Sequence, residues 1–244
     1  MIARLKRALS NTWLYPRHIA TVHSTPVMID ANKYAKGRLL DVGCGFRPYE
    51  AIFANRVTDY LGMDWKSSPG RAQPDIVGDA MNIPVSQDTF DTVLATEVME
   101  HLPSPEDFII EVARVLRGMG TFIVSVPFME PLHDEPRDFY RFTPYSLQFL
   151  LQDHGFQVIQ IWAKGGWWSV VLGSFVNQTL YEWANPTDEQ GRRQDKLYRI
   201  LPVLPFCAMA QFVGYILDRV FKSSRYTLGY VAVATYSNQR SLND

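Results

Sequence analysis

The stretch LLDVGCGFRPY, residues 39–49, combines an apolar run, an acid and two glycines, Gly43 and Gly45. This order predicts a strand that breaks sharply into a nucleotide-binding loop. About twenty residues further on, the apolar run at 60–63 ends in Asp64, where a carboxylate can bind both hydroxyls of a ribose. Together these features indicate an adenosine-containing ligand.

The loop departs from the dinucleotide-binding pattern at its third glycine, because Arg47 or Pro48 stands near that place. A lone pair of glycines could mark any turn from a strand to a helix. Glycines also let a ligand approach the backbone without a Cβ in the way. The missing third glycine weakens the case for a pyrophosphate at a helix N-terminus. A phosphate-free adenosyl ligand fits the loop better.

The composition limits the classes of protein to consider. The chain has 244 residues, 47% of them hydrophobic, which suits one α/β domain with an insertion. A formal net charge of −1 gives no electrostatic reason to expect a nucleic acid as partner. Cys44 and Cys207 suggest neither a disulfide nor a Cys/His zinc pattern, so we expect no metal site and a cytoplasmic protein. The N-terminus does not resemble a secretory signal.

Strand-like and helix-like segments alternate along the chain, which predicts a mostly parallel sheet with helices on both faces. Periodicity supports a helix after Pro105, which we expect to end at Gly118. The predicted strands are 38–42, 59–63, 75–77, 92–96, 120–126, 157–163 and 226–236, and the predicted helices lie near Tyr49, at 105–116 and at 144–154. The predicted regions are an N-terminal helical, basic segment (1–36), a cofactor-binding core (37–164), a helical hydrophobic insertion (165–225) and a final strand with its tail (226–244).

The segment GDAMNIP, residues 78–84, is a candidate adenine pocket. Asp79 can accept a hydrogen bond from an exocyclic amine, while Ala80 and Met81 offer small or apolar contact to a flat ring. The alternative is that Asp79 only caps a turn before Pro84.

Taken together, the motifs LLDVGCG, YLGMD, GDAxxIP, FDTVLATEVMEHL and GTFIVSVP resemble class I S-adenosylmethionine-dependent methyltransferases of the branch that acts on small molecules and lipids. The resemblance covers residues 38–162. It implies a Rossmann-like, seven-stranded sheet whose last strand is antiparallel, with S-adenosylmethionine across the carboxyl ends of the first strands. The cofactor contacts that it implies are Asp41, Gly43 and Gly45 for the methionine and ribose, Asp64 for the ribose hydroxyls, Asp79 and Ala80 for the adenine, and Thr96 for the methionine side.

The segment PFMEPLHDEPRDFYRFTPYSL, residues 127–147, is dense in polar side chains and follows the fifth strand, where open α/β sheets bind ligands. An alcohol must lose its proton as it attacks a methyl group, so a base within hydrogen-bond reach helps. We expect His133 to be that base, with Asp134 orienting it, and His101 as a second candidate. Arg137, Tyr140 and Arg141 are predicted to shape the acceptor pocket; the alternative is an Arg/Asp network that pins a lid.

The phrase HDEPRDFYRFTP, residues 133–144, also resembles a subgroup found among bacterial polysaccharide and lipid-glycan enzymes. It implies a sugar hydroxyl, on a glycan or lipid-linked sugar, as the methyl acceptor. A quinone or a small metabolite is an alternative acceptor. From other classes, an NAD-dependent oxidoreductase would use the same glycine loop and Asp64, and a non-catalytic adenosyl-binding module would bind cofactor without turnover.

The insertion contains an uncharged run at 200–217, about the length of a membrane span. A single crossing there would separate two strands of one sheet. We therefore expect a helical cap or hairpin that buries its face in the protein, in a homodimer or at the membrane surface. The N-terminal residues Ile2, Leu5, Leu9 and Trp13 follow helical spacing among basic residues. They predict peripheral contact with anionic lipid at the inner face of the membrane, or a helix that closes over the cofactor site.

Overall fold

The computed structural model describes residues 12–15, 18–65, 73–184, 199, 201–223 and 225–237. By its internal contacts the chain divides into two compact units. One comprises Met1–Pro26, Met129–Pro131 and Ala163–Leu228, and the other Val27–Phe128, Leu132–Trp162 and Gly229–Asp244. The predicted N-terminal amphipathic helix, apart from Trp13, lies outside the described residues.

The structure contains a seven-stranded sheet in the order β3-β2-β1-β4-β5-β7-β6. β7 pairs antiparallel with β5, from Thr121 opposite Thr235 to Pro127 opposite Gly229, whereas β1 to β5 pair in parallel. The predicted fold class, including the antiparallel last strand, is confirmed. The strands are β1 (Arg38–Val42), β2 (Asp59–Asp64), β3 (Ile76–Val77), β4 (Phe90–Thr96), β5 (Leu116–Pro127), β6 (Phe156–Lys164) and β7 (Gly229–Tyr236).

The helices of the described chain are α1 (His18–Ala31), α2 (Glu50–Phe53), α3 (Pro105–Val115), α4 (Pro144–Asp153), α5 (Asn177–Ala184) and α6 (Leu204–Val220), with a π-helix at Ser169–Val176 and short 3-10 turns at Asn32–Tyr34 and Met99–His101. The described part of the insertion is therefore largely helical. No helix among the described residues is long and apolar enough to cross a membrane.

The middle strands β1 and β4 are buried on both faces because each contains consecutive apolar residues, which point to opposite sides of the sheet. Leu39, Leu40, Val93 and Leu94 have no exposed surface. Consecutive buried apolar residues are typical of parallel sheets covered on both sides. Val42 pairs with both Met63 and Ala95, so the chain leaves three neighbouring strands at one edge of the sheet.

The boundary between α3 and β5 corrects one prediction. α3 begins as expected, with Pro105 in its first turn and the Asp107 amide donating to Ser104 Oγ at 3.4 Å. It ends at Val115 and not at Gly118, because Leu116 is already extended and pairs with Phe90 as the first residue of β5. Leu116 is fully buried, so strand pairing and burial override the helix-ending preference of the glycine.

Gln211 is a fully buried polar residue in the apolar helix α6. Its Oε1 accepts from the Ile19 amide at 2.9 Å, and its Nε2 donates to the carbonyls of Trp13 and Tyr15 at 3.0 and 3.1 Å. One side chain thus satisfies three backbone groups of the segment that precedes and begins α1. A buried amide with all these partners stabilises the packing of this segment.

Replacing Gln211 with Leu should lower the free energy of unfolding by about 1–3 kcal/mol, because the backbone groups would lose their buried partners. Urea denaturation measures the change. Met209→Gln, on the same helix at a side chain 60% exposed, is the control and should change stability by less than about 0.5 kcal/mol. Equal effects of the two substitutions would contradict a structural role for the Gln211 hydrogen bonds.

Candidate functional site

The glycine loop leaves β1 with a left-handed backbone at Gly43 (φ 70°) and Gly45 (φ 52°). A Cβ at Gly43 would lie 2.4 Å from Val98 Cγ2, so only glycine fits there. At Gly45 a Cβ would meet nothing closer than the Gly43 carbonyl oxygen at 3.9 Å, so the space above the loop is open. The loop therefore combines a tight turn with room for a ligand close to its backbone.

Arg47 occupies the place of the missing third glycine and has a glycine-like backbone, with φ 52°. Its Nη2 donates to Asp75 Oδ2 at 2.7 Å and to the Gln73 carbonyl at 3.1 Å, which holds the side chain beside β2 and β3. The helix that follows, α2, has a single turn. This loop leads into no long helix whose N-terminus could receive a pyrophosphate.

Asp64 ends β2 next to the loop and is 8% exposed. Its Oδ2 accepts from the Gly45 amide at 3.2 Å, and its Oδ1 accepts from the Trp65 amide at 2.8 Å. A carboxylate oxygen has two lone pairs and can only accept hydrogen bonds, so Asp64 is chemically suited to the neighbouring hydroxyls of a ribose.

Asp41 lies near the end of β1 and is 2% exposed. The Tyr60 hydroxyl donates to its Oδ2 at 2.5 Å, while its buried Oδ1 accepts no hydrogen bond from any residue in the described part of the chain. Burial raises the pKa of this carboxyl to about 7. An ammonium group would supply the donor and the positive charge that this oxygen lacks, so Asp41 fits the amino group of a methionine-like ligand.

The remaining residues predicted to bind cofactor lie after neighbouring strands. Thr96 is the last residue of β4, half-buried, and lies beyond the Val42–Ala95 pair on the side of Gly43. Asp79 is exposed and Ala80 half-buried, and both follow β3, whose Val77 pairs with Asp64. Asp79 Oδ1 accepts from the Met81 amide at 2.9 Å, so the turn that the alternative predicted is present.

A second polar cluster lies around Glu100, which has no exposed surface. The Nε2 atoms of His101 and His133 lie 3.7 and 3.9 Å from its Oε1. The two imidazole rings meet edge to face with centroids 4.9 Å apart. Glu100 and His101 follow β4 and His133 follows β5, so the parallel pairing of these strands brings residues 32 and 33 positions apart together.

The carboxylate beside the His133 imidazole corrects a second prediction. It belongs to Asp138, whose Oδ2 lies 3.5 Å from His133 Nδ1 and accepts from the His133 amide at 2.9 Å. Asp134, expected to orient the imidazole, is exposed on a left-handed backbone, φ 51°. Asp138 is therefore a site residue that the sequence did not reveal; its spacing of five from His133 gives no helical or strand periodicity that would pair them.

Arg141 holds Asp138 in place. Its Nη1 and Nη2 donate to the two carboxylate oxygens at 2.6 and 2.7 Å, and the Asp138 side chain is 1% exposed. The hydrogen bonds from Arg141 are the main reason that the pKa of Asp138 is lowered to about 2. Arg141 thus belongs to the Arg/Asp network that was the alternative to a pocket role.

Arg137 and Tyr140 connect the segment after β5 with the rest of the site. The Arg137 guanidinium lies over the ring of Trp65, 4.3 Å from its centroid. Trp65 is the residue that follows Asp64 in the sequence. The Arg137 carbonyl lies 2.7 Å from His101 Nδ1. The Tyr140 hydroxyl donates to the Pro103 carbonyl at 3.0 Å. A depression of about 310 Å³ borders Tyr140; its other lining residues are Pro105, Glu106, Arg141, Phe142, Ser146, Phe149 and Leu150.

Neither cysteine has the exposed, readily ionised thiol of a reactive cysteine. Cys44 and Cys207 are free and buried. Burial, together with the neighbouring Asp41 and Asp64, raises the pKa of the Cys44 thiol to about 11, so it is protonated at neutral pH.

This chain is similar to known methyltransferases over part of its length. Residues 40–124 match the family model described as a methyltransferase domain. The fatty-acid O-methyltransferase of Mycolicibacterium smegmatis is 32% identical over 145 residues, 55% of this chain and 51% of that protein. The chain spans about half the length, or less, of the curated relatives it matches.

Solved structures share the fold at low identity. A methyltransferase dependent on S-adenosylmethionine from Archaeoglobus fulgidus has a TM-score of 0.54 and 14% identity, and the match covers 89% of this chain and 94% of that one. The [4+2]-cyclase SpnF has a TM-score of 0.55 and 18% identity, with 86% and 81% covered. The fold is therefore common to proteins named for different reactions.

The raised pKa of Asp41 predicts a specific pH dependence of stability. The folded protein holds the Asp41 proton more tightly than the unfolded chain does, so its stability should fall as pH rises from about 4 to about 7. Asp41→Asn should remove this loss, making the variant more stable than the parent above pH 7 by up to about 4 kcal/mol in the absence of ligand.

Urea denaturation across this pH range measures the difference. Asp59→Asn, at a carboxylate 57% exposed, controls for the loss of one negative charge. If the parent and Asp41→Asn curves run parallel from pH 4 to 8, the buried carboxylate is not the source of the pH dependence.

Proposed function

We propose that this chain is a class I methyltransferase that transfers the methyl group of S-adenosylmethionine to a hydroxyl of an amphipathic acceptor such as a lipid-linked sugar, and the match of residues 40–124 to a methyltransferase domain supports this proposal. The observation that carries the proposal is the position of His133. At the edge of the sheet where the parallel strands end, the imidazole lies beside two buried carboxylates, Glu100 near its Nε2 and Asp138 near its Nδ1. Four residues further on, the Arg137 guanidinium lies over the ring of Trp65, the residue that follows Asp64. A base thus stands on the side of the sheet where the cofactor residues end.

The cofactor site that we propose uses the residues carried over from the family resemblance. Asp41 would pair with the amino group of the methionine part, and the open backbone at Gly43 and Gly45 would lie against the ribose and methionine. Asp64 would accept from the ribose hydroxyls. Asp79 and Ala80 would contact the adenine, and Thr96 the methionine side. When bound, S-adenosylmethionine supplies an electrophilic methyl group, so the protein contributes mainly alignment and exclusion of water.

His133 is the proposed proton acceptor for the hydroxyl. Its Nδ1 faces the ionised Asp138, which favours the tautomer with the proton on Nδ1 and leaves Nε2 to receive the proton. Positioned general bases contribute about 10²–10⁴-fold to rate. His101 is the second candidate; its Nδ1 donates to the Arg137 carbonyl, which also leaves Nε2 as the basic nitrogen.

Three features support an amphipathic acceptor. The depression beside Tyr140 is lined largely by aromatic and aliphatic side chains, with Glu106, Arg141 and Ser146 as polar groups. One relative in the comparison is named for O-methylation of a fatty acid, which is a lipid-like acceptor. The phrase at 133–144 adds the resemblance to polysaccharide and lipid-glycan enzymes. A quinone would satisfy the first two features but not the third.

The competing enzyme class fits the site less well. A nicotinamide-dependent oxidoreductase needs a seat for a pyrophosphate, and here a single-turn helix and the Arg47 side chain follow the loop. Such an enzyme would also give no role to Asp79. A non-catalytic adenosyl-binding module would not need the His133 and Asp138 pair.

Incubating the protein with methyl-labelled S-adenosylmethionine and fractionated cell-envelope lipids and glycans should place label on an oxygen of one product, identified by mass spectrometry. His133→Gln should reduce labelling by about 10²–10⁴-fold with unchanged affinity for S-adenosylmethionine, because the imidazole acts on the acceptor. His154→Gln, at the end of α4, is the matched control and should label normally. Turnover by His133→Gln equal to that of the parent would refute the proton-transfer role.

We further propose that α6 brings the protein to the membrane surface, where a lipid-linked acceptor is found. Six of its apolar side chains are 40–66% exposed, and five of them recur at helical spacing, namely Phe206, Met209, Val213, Ile216 and Val220. An exposed apolar stripe of this kind is typical of helices that lie in a lipid interface.

The protein should therefore sediment with anionic lipid vesicles, and Met209→Asp with Ile216→Asp should release it, because charges on the stripe oppose insertion into lipid. Analytical ultracentrifugation without lipid tests the competing role of the stripe in a homodimer. Complete recovery in the supernatant at low and high salt would contradict membrane binding.

A further inference from the structure

Two imidazole nitrogens and one carboxylate oxygen converge in the polar cluster around Glu100. The ligand-type atoms of Glu100, His101 and His133 all lie within 4.8 Å of one another. Around a tetrahedral ion with bonds of about 2.0–2.2 Å, ligand atoms lie roughly 3.3–3.6 Å apart. The observed separations from Glu100 Oε1, 3.7 and 3.9 Å, are only slightly wider. Small side-chain adjustments would bring the three atoms to bonding distance of one cation.

Both imidazoles are oriented as metal ligands usually are. A carbonyl oxygen can only accept, so His101 Nδ1, 2.7 Å from the Arg137 carbonyl, carries the proton and Nε2 presents its lone pair. His133 has its Nδ1 toward the Asp138 carboxylate and its Nε2 toward Glu100. A backbone carbonyl and a carboxylate are the partners that fix the tautomer of metal-binding histidines.

Arg141 completes this outer layer, because its two hydrogen bonds hold the Asp138 carboxylate in place. The arrangement therefore has an inner set of three ligand atoms and an outer set of fixed partners. A general base alone would need only one of the two histidines.

We infer that Glu100, His101 and His133 form a binding site for one divalent transition-metal cation. Two neutral imidazoles and a carboxylate carry a net charge of −1, which a divalent cation offsets at a position where Glu100 has no exposed surface. Two nitrogens and one oxygen favour Zn²⁺, Fe²⁺ or Co²⁺ over Mg²⁺ and Ca²⁺, which prefer oxygen ligands. The histidine side chains are 22% and 19% exposed, so the site is accessible to solvent.

Three protein ligands leave a coordination position open, as in catalytic metal sites. Resting here on the proposed function, we assign this position to the acceptor hydroxyl. Coordination lowers the pKa of a bound hydroxyl, and its proton passes to solvent. The oxygen then forms a bond to the methyl carbon as the carbon–sulfur bond breaks, and that electron pair stays on sulfur to give the thioether. His133 is a ligand in this state and a base only in the cation-free protein.

The sequence analysis predicted no metal ligand and therefore missed this site. Glu100 and His101 are adjacent, and His133 lies 32 residues further on, in a different loop. This spacing matches no compact zinc motif. Only the pairing of β4 with β5 brings the two loops together.

Direct binding tests the inference without any acceptor. Protein stripped with a chelator should bind one equivalent of Zn²⁺ in calorimetry, and Co²⁺ should give the visible absorption of a low-coordinate nitrogen-ligated ion. His101→Gln and His133→Gln should each weaken Zn²⁺ affinity by more than the roughly 10–100-fold that losing an outer partner costs. His154→Gln should leave it unchanged, and unaltered affinity for S-adenosylmethionine checks that each variant is folded.

Failure of the two proposals can be told apart. No Zn²⁺ or Co²⁺ binding, or binding that survives both His101→Gln and His133→Gln, overturns the metal site and leaves methyl transfer intact. Stoichiometric Zn²⁺ binding that both variants abolish supports the site even if no acceptor is methylated. An unchanged rate of methyl transfer after chelation, in a protein that binds Zn²⁺, would overturn the role of the open position.

Discussion

The parallel pairing of β1 with β2 and β4 is the constraint on which the rest of the structure depends. It aligns the ends of three strands, so the glycine loop, Asp64 and Thr96 leave the sheet side by side although they are far apart in the chain. The pairing of β4 with β5 adds Glu100, His101 and His133 to the same edge. Because the register of a parallel sheet is fixed by buried apolar side chains on both faces, the chemistry at its edge is built on a rigid scaffold.

This edge collects buried carboxylates, which are rare in protein interiors unless a partner compensates them. Asp64 is stabilised by backbone amides and Asp138 by the Arg141 fork. Among the described residues, Asp41 accepts a hydrogen bond only from the Tyr60 hydroxyl, and burial raises its pKa. Such perturbed and compensated acids cluster at functional sites more often than elsewhere. On the proposed function, the acids around Asp41 and Asp64 would serve the cofactor and those around Glu100 and Asp138 the acceptor.

Local patterns were sufficient to predict the strands and a mostly parallel sheet, because each signal lies within a few residues: an apolar run, a glycine pair, an acid at a strand end. The seven-stranded fold with its antiparallel last strand followed from the family resemblance. The pattern failed at Gly118, where burial of Leu116 and strand pairing outweighed a local helix-ending preference. The sequence pattern also favoured Asp134, and not Asp138, as the carboxylate beside the His133 imidazole. It did not predict that Glu100 lies close to His133. Which carboxylate meets an imidazole depends on how two loops pack, and neither hydrophobic periodicity nor residue spacing carries that information.

The central claim is that the glycine loop and Asp64 bind an adenosyl ligand without a pyrophosphate. Titration calorimetry of the purified chain with S-adenosylmethionine and, separately, with NAD⁺ tests it most directly. The account predicts saturable binding of S-adenosylmethionine at one site per chain and no detectable heat from NAD⁺ at the same concentrations. Saturable binding of NAD⁺ with no binding of S-adenosylmethionine would contradict it.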